Sequence, residues 1–75
     1  MLEKKIRLEA IDDVREFVQA ATRCNFDVDI SYNRMVIDAK SILGVMSLDR
    51  TKDLTVQYWP EDRELEKVLS KFAVA

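Results

Sequence analysis

A single glycine and a single proline, Gly44 and Pro60, punctuate a chain of 75 residues, so long irregular loops have almost nowhere to form. Nearly every residue must belong to a short regular element joined to the next by a tight turn. No linker, repeat or low-complexity segment breaks the pattern, and residues 1–75 read as one small domain. Such a domain buries only about 60% of the surface its unfolded chain exposes, which leaves little room for a deep catalytic cleft.

The spacing of apolar residues assigns the elements. Lys4 to Glu9 alternates charge with Ile6 and Leu8, the period of a half-buried strand. From Ile11 the period lengthens through Val14, Phe17, Val18, Ala21 and Cys24, which predicts a helix over roughly 12–24. Asp13 and Glu16 have the spacing of a capping box. Val28, Ile30 and Tyr32, then Met35, Ile37 and Ala39, alternate on either side of Asn33-Arg34 and read as a hairpin. Asn33 tolerates the positive φ a tight turn needs, while Arg34 occupies a position usually given to glycine, so the turn type stays open.

Ser41 to Leu48 reads as a short helix with Ser41 at its mouth, where a hydroxyl can accept a first-turn N–H. Leu54, Val56 and Tyr58 share one side of a last strand, which Pro60 ends. Glu61, Asp62 and Glu64 suit the start of a final helix whose stripe is Leu65, Val68, Leu69 and Phe72. Three helices with one apolar stripe each, and four strands, make an α+β fold: an antiparallel sheet covered on one face.

Twelve Lys and Arg against 14 Asp and Glu give a net charge of −2 with no basic block, so nucleic acid is not an expected partner. No apolar run approaches the roughly 20 residues that span a bilayer, and the charged start lacks a signal-peptide core. Cys24 has no second cysteine to pair with, and the chain has no histidine with which to build a mixed metal cluster. A cytoplasmic protein without membrane, metal or cofactor is expected.

Lys40 and the stretch Ser41-Ile-Leu-Gly-Val-Met-Ser-Leu48 resemble the regulatory-serine segment of the HPr family, phosphocarriers of the bacterial sugar phosphotransferase system. The resemblance runs without a gap from Phe17 to about Leu48, through Val18-Gln19 and Tyr32-Asn33, and continues loosely to the C-terminus. It implies the HPr-like open-faced β-sandwich, βαββαβα with strand order 1-4-2-3. In that register the family's phosphoacceptor loop, GIHARPA, falls on Glu9-Ala-Ile-Asp-Asp-Val-Arg15, with Ile11 at the histidine position and Asp13 at the arginine position. A phosphocarrier needs an imidazole to take the phosphoryl group and positive charge or helix N–H groups to hold it. Ile11 has no lone pair, Asp13 repels phosphate, and Arg15 compensates only in part. Histidine phosphotransfer is therefore not expected, nor is enzymatic activity.

The resemblance implies that Ser41 is phosphorylated by an HPr serine kinase; plain capping is the competing reading. Ile42, Leu43 and Met46 crowd one turn of a helix too short to bury all three. They are either core or a docking patch, which the resemblance assigns to contacts with phosphotransferase-system and catabolite-control proteins. Asp12 or Asp13 as an acyl-phosphate acceptor would want magnesium and a lysine nearby; a favourable interaction with the helix dipole explains both acids more simply. Ser47 reads as filler, Cys24 as a buried small hydrophobe, and Tyr32 and Tyr58 as core. Trp59 faces away from Tyr58, toward the open sheet face or its edge, so a structural or dimerisation module using that face is the alternative to a monomeric regulatory binding module.

Overall fold

The structure, a computed structural model, describes residues 1–74. It contains β1 (Leu2–Ile6), α1 (Ile11–Thr22), β2 (Val28–Tyr32), β3 (Met35–Asp38), α2 (Ile42–Met46), β4 (Leu54–Tyr58) and α3 (Arg63–Phe72). The strands form one antiparallel sheet in the order β1-β4-β2-β3, the expected open-faced sandwich. Because side chains alternate along a strand, Val28, Ile30, Leu54, Val56 and Tyr58 all turn inward and are buried. Helices cover that face with Val14, Phe17, Val18, Ala21, Val45, Leu65 and Leu69, which complete a single core. α1 packs against both α2 and α3, α2 lies against β3, and α3 against β1.

The boundaries differ from the periodicity in instructive ways. β1 spans Leu2–Ile6 instead of Lys4–Glu9, because its partner β4 runs out: Ile6 pairs with Leu54, the first residue of β4. Leu8 thus lies beyond the ladder yet is completely buried, so its alternation reported burial and not pairing. α1 begins one residue earlier than expected and ends two earlier, and Asp13 does not form a box with Glu16. The N-cap is Ala10, whose carbonyl accepts the N–H of Asp13 at 3.0 Å and of Val14 at 3.3 Å. Asp13, third residue of the helix, reaches back as the acidic half of a box.

The other caps follow their residue types. The Ser41 hydroxyl accepts the Gly44 N–H at 3.2 Å, and the Asp62 carboxylate accepts the Leu65 N–H at 2.9 Å. The hairpin turn is two residues, since Tyr32 pairs with Met35, and Asn33 takes the positive φ of 55°. Gly44 explains the presence of a glycine inside α2: a Cβ there would lie 2.6 Å from the Ile37 Cγ2 methyl, so its absence lets the helix approach β3.

Candidate functional site

Ile11, at the position the family resemblance gives to histidine, is the first residue of α1 and is 40% exposed. It therefore leaves the stripe that Val14, Phe17, Val18 and Ala21 continue into the core. Asp13 lies two residues further along the first turn. One of its oxygens, Oδ2, accepts the backbone N–H groups of Glu9 and Ala10, each at 3.2 Å. Those amides precede a helix N-terminus, where donors converge and negative charge is favoured. A carboxylate of the chain itself is thus already bound there. Asp12 and Arg15 are exposed.

Two open depressions flank this loop. One, of about 580 Å³, is lined by Arg7, Glu9, Met46, Leu48, Asp49, Arg50 and Thr51, and it brings the residues before α1 beside the end of α2. The other, of about 240 Å³, joins Arg7, Glu9 and Asp13 to Lys71 and the chain end through Val74. Two of the basic side chains that line them are held in ion pairs. Arg7 bonds Asp53 at 2.6 Å, and Lys71 bonds Glu16 at 2.9 Å, a pairing that raises the ammonium's pKa. Asp49 is bonded by the hydroxyl and N–H of Thr51, which hold its carboxyl below its usual value. Sequence reasoning missed Arg7 and Arg50, because charged residues before a helix or in a turn carry no periodic signal.

Ser41 is exposed at the N-terminus of α2, its hydroxyl committed to the Gly44 amide. The next residues divide sharply. Val45 alone is buried, whereas Ile42, Leu43 and Met46 are 39%, 79% and 41% exposed. Five helical residues present one face to the core, and Val45 fills it, so the three others have no interior to enter. Ser47 donates to the Gly44 carbonyl and sits at the C-cap, satisfying the helix end.

Cys24 is buried, with its thiol directed at the Ala20 carbonyl at 3.4 Å, and burial raises its pKa. That environment suits a small packing group. Tyr58 is buried and Tyr32 only half-buried at the hairpin end of β2. Trp59 is 62% exposed and shares a shallow depression with Met1. No helix among the described residues is long and apolar enough to cross a membrane.

Residues 13–74 match the PTS-HPr family, described as the PTS HPr component phosphorylation site. That span includes Ser41 and the whole apolar turn, and it begins two residues after Ile11. The fold is similar to that in the crystal structure of a phosphocarrier protein HPr from Bacillus anthracis str. Ames, with a TM-score of 0.64 over 95% of each chain at 22% identity. Fold and sequence thus agree, and the chain belongs to the PTS-HPr family of phosphotransferase-system proteins.

Proposed function

We propose that this chain is a non-enzymatic, protein-binding member of its family that does not carry phosphoryl groups on histidine and is controlled through Ser41. One observation carries the reading: the chain has no histidine at all, and Ile11 stands where the resemblance puts the phosphoacceptor. The surroundings support it. Asp13 holds the Glu9 and Ala10 amides with a fixed negative charge, where an incoming phosphate would need both the amides and a positive neighbour.

Docking falls to Ile42, Leu43 and Met46. Large apolar side chains exposed together on one turn are unusual on a soluble protein without a partner to cover them. A phosphate on Ser41 would add about two negative charges beside this patch, at the positive end of α2. A partner offering Arg or Lys next to an apolar pocket would then bind more tightly. By family resemblance the candidates are an HPr serine kinase as the modifying enzyme, and phosphotransferase-system or catabolite-control proteins of the cytoplasm as readers.

An acyl phosphate on Asp12 or Asp13 fits less well. Asp13 is occupied by two amides, and no group of three carboxylates that could hold a magnesium ion occurs among the described residues.

The test is incubation with an HPr serine kinase and ATP, beside Ser41→Ala and beside an authentic HPr, read by intact mass. One phosphate on the unaltered chain and none on Ser41→Ala is expected. No phosphate, with the authentic HPr labelled, would remove the serine control and leave only constitutive docking.

A further inference from the structure

The two edges of the sheet are finished differently. Along β1 the outer edge is covered by the chain's own end: Ile6 bridges to Ala73, Arg7 N–H donates to the Phe72 carbonyl at 3.0 Å, and Val74 N–H donates to the Lys5 carbonyl at 3.1 Å. β3 is the other edge, and among the described residues no strand lies beyond it. An uncovered edge offers unpaired backbone donors and acceptors to another strand.

Backbone parity identifies which groups are offered. Just past β3, Ala39 N–H donates to the Val28 carbonyl at 2.8 Å, so the odd-numbered residues Met35, Ile37 and Ala39 turn their backbone toward β2. Val36 N–H and C=O, and Asp38 N–H, therefore face outward; the Asp38 carbonyl accepts Ser41 N–H at 3.0 Å. The same edge is apolar, with Met35 50% and Val36 63% exposed.

We infer that β3 pairs antiparallel with β3 of a second copy of this chain, with Val36 opposite Val36. The charge pattern selects that occupant and that register. Centring the pair on Val36 sets Arg34 of each copy opposite Asp38 of the other, two opposite-charge pairs on either side of Val36, while Met35 of each copy meets Ile37 of the other on the opposite face of the sheet. Centring it on Arg34 or on Asp38 would place like charges face to face, and a register two residues along would set Arg34 against Lys40. The dyad of an antiparallel pair stands perpendicular to the sheet. Both copies then keep their helices on one side of an eight-stranded sheet, and α2, the helix packed on β3, lies nearest the seam in each. This assembly goes beyond the proposed docking role and presents two Ser41 turns to one partner.

Sedimentation equilibrium of the whole chain, from micromolar to millimolar concentration, tests it. A reversible dimer is expected. Arg34→Glu should weaken it roughly tenfold by creating two like-charge pairs, and Arg34→Glu with Asp38→Lys should restore it. Val36→Pro should abolish it, since proline removes the outward N–H while leaving the β2 ladder intact; the charge swap decides the matter should the proline variant not fold. Trp59→Ser should leave the dimer unchanged. A monomer at every concentration, a dimer indifferent to the Arg34 and Val36 changes, or one lost only in Trp59→Ser would overturn the inference.

Discussion

The carboxylate of Asp13 accepts the backbone N–H of Ala10 at 3.2 Å, and the same oxygen accepts that of Glu9. One side chain thereby closes the start of α1, the helix whose first residue, Ile11, stands where the resemblance puts the phosphoacceptor. Two effects of Asp13 can be separated by substitution. Asp13→Ala leaves the orphan amides to water and should cost about 1 kcal/mol of stability, read from urea denaturation. For phosphate acceptance, Ile11→His alone should take little label from phosphoenolpyruvate and enzyme I, because the carboxylate remains. Ile11→His with Asp13→Arg should take substantially more. Equal labelling of the two variants would show that Asp13 is no obstacle.

Gly44 and Ile37 set a second expectation. Alanine is normally favoured over glycine inside a helix by up to about 1 kcal/mol. Here the added methyl would sit 2.6 Å from Ile37 Cγ2 and 3.1 Å from Ser41 Oγ. The γ-methyl of a β-branched residue in a strand cannot swing aside easily, so the clash outweighs the propensity. Gly44→Ala should lower stability by about 1–2 kcal/mol, and Ile37→Ala in the same chain should recover part of it.

Tyr58 donates its hydroxyl to Glu66 at 2.6 Å from a buried position. Burial first, and the Glu66 carboxylate second, raise its pKa above the ordinary value of 10.0. The unfolded chain therefore releases this proton at lower pH than the folded one. The stabilisation is complete below about pH 10 and is lost as pH rises through the folded value. Tyr58→Phe should cost about 1 kcal/mol at neutral pH and flatten the alkaline fall in stability, measured as Tm against pH.

Leu8 and Leu43 make a contrasting pair. Leu8 is fully buried though it belongs to no strand or helix, and Leu8→Ala should cost about 2–5 kcal/mol. Leu43 is mostly exposed, so Leu43→Ser should change stability by no more than about 0.5 kcal/mol while weakening any partner bound at α2.

Much of this was legible in the residues. The alternation before Glu9, the period switch at Ile11, the alternations around Asn33 and through Leu54–Tyr58, the Ser41 cap and the stripe from Leu65 to Phe72 marked all seven elements in order, because each buries a single face. The strand order came through family resemblance, as hydropathy says which face is buried and not which strand is the neighbour. Periodicity failed at Leu8 and Ile11. A buried loop residue mimics strand alternation, and an apolar residue on the first turn of a helix extends the stripe without joining the core. The cap at Ala10 was hidden because alanine has no capping side chain, and the work passes to a residue three positions on. At the candidate site, Ser41 as N-cap and the surplus of apolar residues on α2 were readable; the hold of Asp13 on the two amides, and the outward-facing β3 backbone, exist only in three dimensions.

The most direct test of the account is intact mass after incubation with phosphoenolpyruvate and enzyme I, with an authentic HPr labelled in the same tube. The account predicts that the authentic carrier gains an acid-labile phosphate and that this chain gains none. An acid-labile phosphate on this chain, which would have to sit on a group other than histidine, would contradict it.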